Sequence, residues 1–269
     1  MRCAVVGHPV AHSLSPVLHR AAYSELGLDW QYDAIDVEPG GLASFVDGLG
    51  PDWRGLSITA PHKDEAAALG QADEVVRLTG AANTWVRTPE GPIVRNTDVP
   101  GYDIALTAHG VDALRRGILI GNGATARSAL VGLGRAGVGG VVVLARRPER
   151  AIGLQALGRE LGITVDLLPL GQQMPSTADI LVSTVPAAGP EPIADELASL
   201  APVVFDSVYD PWPTPLAAAA AGLGRLVLNG LDLLAGQAVE QIRWMTGEQV
   251  DFDLLRAAAR DGMTARQSL

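Results

Sequence analysis

The sequence predicts an α/β protein with two domains, each built on a largely parallel sheet. Three observations support this prediction. Short apolar runs alternate with helical patterns from one end of the 269-residue chain to the other. These runs fall into two series, and the pattern of apolar runs and turns changes between them. Hydrophobic residues make up 48% of the chain, enough for a sizeable core, and the length suits one large domain or two smaller ones.

The first series predicts an open, mostly parallel α/β domain. One helix is predicted after Pro16 and another near residues 41–50. The pattern then changes to two short strands around the turn Pro89-Glu90-Gly91-Pro92. The predicted strands cover residues 3–7, 32–37, 55–58, 83–87 and 93–96.

The second series predicts another doubly wound unit, because its runs are rich in β-branched residues and nearly uninterrupted, as in strands covered on both faces. An amphipathic helix over 103–116 can connect the two domains. Helices over 231–247 and 252–260 are predicted to return to the first domain, and 262–269 to form a loose tail. The predicted strands of the second series lie in the runs GILIGNG from Gly117, VVVLARR from Val141, DILVSTVP from Asp179 and VVFDSVYDP from Val203.

The predicted domains are therefore residues 1–103, completed by the helices of about 232–269, and residues 104–231.

Thirty acidic against twenty basic residues give a net charge of -10, which argues against a broad nucleic-acid-binding face. The one cysteine, Cys3, cannot form an intramolecular disulfide, which fits a reducing compartment. No segment reaches the roughly 18 apolar residues of a membrane helix. We expect a cytoplasmic protein whose partner is a small molecule, without nucleic acid or membrane.

The basic residues are unevenly distributed between the two types. Of the 20, only Lys63 is a lysine and the others are arginines. A site that keeps lysine against this bias can need a compact ammonium, which arginine does not provide. The alternative is a single lysine left on the surface by chance, and the count alone does not separate the two.

A glycine-rich motif opens the second domain. GILIGNGATARSA places Gly121, Gly123 and Ala126 directly after a strand and at the start of a helix, which matches G-x-G-x-x-G/A. The first glycine permits a tight turn, the second lets the backbone approach a pyrophosphate, and the helix start supplies N–H groups. Glycine-rich turns also occur for purely steric reasons, so the strand-to-helix context carries the prediction of a dinucleotide-binding Rossmann domain.

The end of the next strand predicts which dinucleotide binds. An NAD site usually carries Asp or Glu about twenty residues after the motif. Here the chain has Ala145, Arg146 and Arg147, with Arg150 following. Guanidinium groups pair well with a 2'-phosphate, so NADP is favoured over NAD. The alternative is that these arginines are solvated residues at a helix start. Basic residues at that end interact unfavourably with the helix dipole, so helix stability does not explain them.

Two serines precede the first helix. Ser13 and Ser15 lie just before Pro16, and two hydroxyls beside a helix N-terminus can receive a small carboxylate. The alternative is that Ser15 is a plain N-cap. The nearby His8, His12 and His19 suggest a metal site, but prolines interrupt a helical face and no carboxylate is interleaved, so we expect none.

Three further segments place polar side chains at strand ends. GLSITAPHK supplies Thr59 and Lys63, GAANT supplies Asn83, and RNTDVPG supplies Asp98. Ligands bind at the carboxyl ends of strands in open α/β sheets. A carboxylate and an ammonium suit reversible hydride transfer, since alkoxide charge must be stabilised and a proton moved. Each residue could instead be a strand-end cap or a surface charge.

This combination of motifs resembles the shikimate dehydrogenase family. The resemblance covers nearly the whole chain and is more specific than any Rossmann motif alone. It departs from the family pattern at a few positions, among them Ala124 in the phosphate loop and Ala145 before Arg146. In chain order the motifs are GHPVAHSLSP, GLSITAPHK, GAANT, NTDVPG, GNGATARSA, ARR, STVP, DSVYDPWPTPL and GLDLLAGQA.

The resemblance implies an N-terminal substrate domain and a C-terminal NADP domain around a cleft that closes on binding. Lys63 and Asp98 would form the catalytic pair. The other substrate-binding residues would be Ser13, Ser15, Thr59, Asn83, Tyr209 and Gln237. The cofactor-binding residues would be Gly121, Asn122, Gly123, Ala124, Thr125, Ala126, Ala145, Arg146, Arg147, Arg150, Thr184, Val208 and Gly230.

The implied reaction is the reversible NADPH-dependent reduction of 3-dehydroshikimate to shikimate in chorismate biosynthesis. Two alternatives remain at this point: an NAD-dependent quinate/shikimate dehydrogenase and a non-catalytic NADP-binding regulator. The resemblance is compatible with a monomer or a homodimer.

Overall fold

A computed structural model describes residues 1–267 of the chain. Contacts divide it into two compact units. The first comprises Met1–Gly101 and the chain from Leu234 onward, and the second is Tyr102–Leu233. Within residues 1–267, no helix combines the length and the apolar content that a bilayer crossing requires.

Each unit contains one six-stranded sheet. The strands of the first unit are β1 (Arg2–Gly7), β2 (Gln31–Asp36), β3 (Trp53–Ile58), β4 (Gln71–Ala72), β5 (Thr84–Val86) and β6 (Ile93–Arg95). Those of the second are β7 (Arg116–Ile120), β8 (Gly140–Ala145), β9 (Thr164–Pro169), β10 (Ile180–Ser183), β11 (Val203–Asp206) and β12 (Leu226–Leu228).

The helices alternate with these strands. They are α1 (Ser15–Glu25), α2 (Leu42–Asp47), α3 (Lys63–Ala66), α4 (Glu74–Thr79), α5 (Asp98–Ala108), α6 (Ala124–Arg135), α7 (Ile152–Leu161), α8 (Ala194–Ser199), α9 (Pro215–Gly222), α10 (Gly230–Thr246) and α11 (Phe252–Gln267).

The first sheet has the order β2-β1-β3-β5-β6-β4 and is mixed. β1 pairs in parallel with β2 and β3, whereas β5 is antiparallel to β3 and to β6. Alternate residues of β1 enter different cores: Ala4 and Val6 face one, Cys3 and Val5 the other. A strand with both faces buried needs an uninterrupted apolar run, which explains why this strand was predictable.

The second sheet has the order β12-β11-β10-β7-β8-β9, and all of its pairs are parallel. The chain proceeds from β7 to β9 on one side, then returns to β10 and continues to β12 on the other. This is the Rossmann order, and its direction reverses between β7 and β10. Ligands of such sheets bind outside the carboxyl ends of the strands at that point. The edge strands β9 and β12 were not predicted.

The predicted connecting helix over 103–116 was wrong in its bounds. α5 already begins at Asp98, whose N–H donates to Asn96 Oδ1 at 3.1 Å. Pro100 is tolerated because the first turn of a helix has no partner for that N–H. Gly110, with φ of 65°, follows the end of α5.

The predicted loose tail over 262–269 was also wrong, because α11 continues to Gln267. Gly262 lies against the Val17 side chain of α1, and Met263 is buried. Arg266 donates to the His12 carbonyl at 2.6 Å. Packing against α1 therefore extends the helix past a glycine that looked like a stop signal. Residues 268 and 269 lie outside the described part of the chain.

Candidate active site

Lys63 and Asp98 form an ion pair. Lys63 is the first residue of α3, just after the carboxyl end of β3, and Asp98 is the first residue of α5. The distance from Lys63 Nζ to Asp98 Oδ2 is 2.5 Å, with only 16% and 6% of the side chains exposed. A charge-assisted hydrogen bond in this sheltered place holds the ammonium in one direction.

The second oxygen of Asp98 is also occupied. Asn83 Nδ2 donates to Asp98 Oδ1 at 2.9 Å and lies 3.3 Å from Gln237 Oε1. Gln237 Nε2 in turn donates to the Leu234 carbonyl at 3.0 Å. Four of the predicted substrate-binding residues, Lys63, Asn83, Asp98 and Gln237, thus meet in one cluster of the first unit, although 154 positions separate Asn83 from Gln237.

Two glycines bring α5 and α10 together beside this cluster. A Cβ added to Gly236 would lie 2.5 Å from the Gly101 carbonyl oxygen and 3.0 Å from its Cα. A Cβ on Gly101 would lie 2.8 Å from the Gln237 nitrogen. The helices therefore touch backbone to backbone, and this close approach places Asp98 and Gln237 near each other.

Thr59, Ser13 and Ser15 belong to the same unit. Thr59 follows β3 and donates its N–H to the Val6 carbonyl at 2.9 Å. Ser13 Oγ accepts the Ser15 N–H at 3.3 Å, and Ser15 is only 5% exposed. The interpretation of Ser15 as a plain N-cap was wrong, because the N-cap of α1 is Leu14 and Ser15 is already helical.

In the second unit, the glycine motif lies where the sheet order reverses. Gly121 follows β7 with φ of 119°, and a Cβ there would collide with the Thr184 hydroxyl. Thr184 follows β10 and donates this hydroxyl to the Ile120 carbonyl at 2.9 Å. Gly123 is the N-cap of α6 and has no side chain to cover the helix start. This bare N-terminus can receive a phosphate.

A cavity of about 640 Å³ adjoins this turn. The three predicted arginines of β8's carboxyl end line it and are exposed. Sequence reasoning missed the loop after β10 and Leu170, although the STVP motif pointed toward that loop. The lining residues relevant here are Gly121, Asn122, Ala145, Arg146, Arg147, Arg150, Leu170, Val185, Pro186, Ala188 and Gly189. Ala124, Thr125 and Ala126 form the first turn of α6, with Ala126 fully buried.

Val208, Tyr209 and Gly230 also lie in the second unit. Gly230 donates its N–H to the Val208 carbonyl at 3.1 Å, and a Cβ on Gly230 would lie 2.5 Å from the Ser207 carbonyl oxygen. Only glycine fits this approach. Tyr209 is half-buried in the loop after β11, so it lies in a different unit from the other predicted substrate residues.

Comparisons with known proteins agree on one family. Residues 5–85 match the model of the shikimate dehydrogenase substrate binding domain. A shikimate dehydrogenase (NADP+) of Rubrobacter xylanophilus is 37% identical, with 94% of this chain and 93% of that protein aligned. The chain belongs to the shikimate dehydrogenase family.

Solved structures support the family assignment. The Mycobacterium tuberculosis shikimate dehydrogenase structure has a TM-score of 0.89 at 38% identity, covering 97% of this chain and 99% of that one. A Thermus thermophilus shikimate 5-dehydrogenase in complex with NADP(H) and shikimate has a TM-score of 0.86 at 33% identity, covering 97% and 99%. The predicted fold class and the predicted enzyme class, an NADP-dependent oxidoreductase, are confirmed at the level of the family.

Of the three histidines considered as metal ligands, His19 is fully buried and its ring contacts Gln241. Its Nε2 lies 3.2 Å from Gln241 Oε1, which also accepts the Ser57 hydroxyl at 2.7 Å. Gln241 Nε2 donates to the Asn83 carbonyl at 3.2 Å. Because an amide oxygen only accepts, His19 must carry its proton on Nε2. His19 therefore belongs to a polar network beneath Asn83.

His8 has different surroundings. His8 Nδ1 lies 2.7 Å from Asp36 Oδ1, and Nε2 lies 3.6 Å from Glu38 Oε2. Ligand atoms of the three residues lie within 4.8 Å of one another. The hydrogen bond raises the pKa of His8 and lowers that of Asp36. Asp36 at the end of β2 and Glu38 just after it thus supply the carboxylates that the sequence around His8 lacks. Each of the two faces one ring nitrogen of His8.

The burial of His19 predicts acid sensitivity. Burial lowers its pKa to about 4, and the Gln241 hydrogen bond only partly opposes this. An unfolded histidine titrates near 6.5, so between about pH 6.5 and 4 the unfolded chain binds a proton that the folded chain rejects. We expect His19 to remove about 3 kcal/mol from the free energy of unfolding as the pH falls through this window.

A His19→Gln variant cannot titrate there, so its stability should fall less steeply between pH 7 and pH 4.5. Urea unfolding at several pH values measures the slope, with His12→Gln as the control at an exposed histidine. Equal slopes for wild type and His19→Gln would contradict this prediction.

Proposed function

We propose that this chain catalyses the reversible reduction of 3-dehydroshikimate to shikimate with NADPH, a step of chorismate biosynthesis in the cytoplasm. The observation that carries the proposal is the sheltered Lys63–Asp98 pair, with Asn83 and Gln237 beside it. Its composition, an ammonium, a carboxylate and two amides, suits a small polyhydroxylated keto acid. The names of the relatives supply the identity of that acid.

In this proposal the first unit binds the substrate and the second unit binds NADP. Ser13 and Ser15 hold the carboxylate of the substrate, with Tyr209 as a further contact. Thr59, Asn83, Asp98 and Gln237 bind the ring hydroxyls. Hydroxyl, amide and carboxylate groups have both donors and acceptors, as a ring with several hydroxyls requires.

The residues of the second unit fit NADP. Gly121 and Gly230 permit close contacts, with Thr184 and Ser207 respectively, that a Cβ would block, and the start of α6 offers N–H groups to phosphate. Arg146, with Arg147 and Arg150, pairs with the 2'-phosphate. The remaining contacts come from Asn122, Gly123, Ala124, Thr125, Ala126, Ala145, Thr184 and Val208. When bound, NADPH supplies the hydride for the ketone carbon.

Lys63 acts on the substrate oxygen. As the ketone is reduced, negative charge develops on its oxygen, and a fixed ammonium stabilises that charge most where water is excluded. Asp98 orients the ammonium through its 2.5 Å contact. The oxygen takes up a proton in this direction of the reaction and loses it in the other, so Lys63 holds the proton at the reacting atom.

Initial rates with each pairing of shikimate or quinate with NADP or NAD test the proposal. We expect the pairing of shikimate with NADP to give the highest kcat/KM. A preference for NAD would contradict the assignment of Arg146 and Arg147 and favour a quinate/shikimate dehydrogenase. No turnover with any pairing, together with tight NADPH binding, would instead indicate a non-catalytic regulator.

A further inference from the structure

The side-chain oxygen of Asn83 receives an unusual number of hydrogen bonds. The Thr97 N–H donates to Asn83 Oδ1 at 2.8 Å, and the Thr97 hydroxyl donates to it at 3.0 Å. The Thr84 hydroxyl donates to the same oxygen at 3.0 Å. All three residues are at most 2% exposed. Three donors from two residues, Thr84 and Thr97, therefore converge on one buried oxygen.

These donors fix which end of the Asn83 amide faces Asp98. A backbone N–H can only donate, so the atom facing Thr97 must be the amide oxygen. The NH2 group then points to Asp98 Oδ1 and Gln237 Oε1, both of which accept. A flipped amide would place NH2 against the Thr97 N–H and oxygen against the carboxylate. Both contacts would be repulsive.

The hydroxyls add a constraint that the N–H alone does not supply. The terminal torsion of Asn is broad, so one donor sets the direction of the amide but leaves its rotation loose. The Thr97 hydroxyl lies within 3.5 Å of Gln237 Oε1 as well, and 3.3 Å from the Thr84 hydroxyl. The two hydroxyls therefore restrict the rotation of the Asn83 amide beyond what the Thr97 N–H does alone.

We propose that Thr97 is a positioning residue for the reaction: it holds the Asn83 amide so that its NH2 group keeps Asp98 directed at Lys63. This inference rests on the proposed function, since it assigns Thr97 a role through residues of that site. It predicts an effect on turnover that depends on the Thr97 hydroxyl and not on its methyl group.

Thr97→Val removes the hydroxyl with little change of shape, and Thr97→Ser keeps it. We expect Thr97→Val to lower kcat for shikimate oxidation by roughly fivefold to tenfold, the value of one buried hydrogen bond. Thr97→Ser should stay within about twofold of wild type, and the KM for NADP should change by less than about twofold in both. Thr246→Val is the matched control, because its hydroxyl bonds to the Ile242 carbonyl within α10 and to the Glu248 N–H just after it.

Thr84→Val removes a different donor without altering residue 97, so it remains informative if Thr97→Val folds poorly. We expect it to lower kcat too, and the double variant to lose more than the product of the single losses, because the N–H then acts alone. Equal kcat in wild type and Thr97→Val, or equal losses in Thr97→Val and Thr97→Ser, would overturn the inference and leave the proposed function standing. Absence of shikimate oxidation by the wild-type chain would overturn both.

Discussion

Replacing Lys63 with alanine is expected to lower the turnover number for shikimate oxidation by about 10²- to 10⁴-fold, the contribution of a positioned acid or base. The variant removes the ammonium that lies 2.5 Å from Asp98 and leaves that carboxylate with its Asn83 contact. The KM for NADP should stay near the wild-type value, because the predicted cofactor residues belong to the other unit. Steady-state kinetics with each substrate varied in turn measures both.

Lys63→Met is the matched control for this prediction. Methionine keeps an unbranched apolar side chain, so it separates the charge from the packing. Both variants should lose turnover to a similar extent and remain folded by circular dichroism. Unchanged turnover in either variant would remove Lys63 from the reaction.

Gly236→Ala is expected to have the largest effect on stability. The added Cβ would lie 2.5 Å from the Gly101 carbonyl oxygen, and backbone on both sides leaves no flexible side chain to yield. The helices must separate, which costs about 1 to 3 kcal/mol or more, and we expect the melting temperature to fall by roughly 5 to 10 °C. The kcat/KM for shikimate should fall as well, because the separation moves Gln237 away from Asp98.

Gly153→Ala provides the control, because a Cβ on Gly153 meets no atom within 4 Å. Alanine there should be neutral or slightly stabilising, since it favours the helix. Thermal unfolding followed by circular dichroism compares the two variants. A Gly236→Ala protein as stable and active as wild type would show that α5 and α10 do not depend on this contact.

The sequence predicted those features that depend on neighbours in the chain. The buried strands are recognisable by their continuous apolar runs, and Gly121 and Gly123 by their position between a strand and a helix. Lys63 drew attention through composition alone. Its assignment to a site, with Asp98 as its partner, came from its position after a strand end and from the family motifs, while the 2.5 Å distance between the two required the fold.

Other features depend on residues far apart in sequence and could not be read from it. Gln241 reaches the Asn83 carbonyl across 158 positions, and nothing near either residue indicates the partner. The helical end of the chain was missed because its stability comes from packing against α1, which overrides the local signal of Gly262. The convergence of Thr84 and Thr97 on Asn83 was hidden for the same reason, although the NTD motif contains Thr97.

The scarcity of lysine has a practical consequence. Lys63 carries the only side-chain amine of the chain, and 16% of that side chain is exposed. Reductive methylation with ¹³C-formaldehyde would therefore introduce a single ε-dimethylamino group, placed beside Asp98. Its methyl resonance would make an NMR probe of that pair without any engineered label.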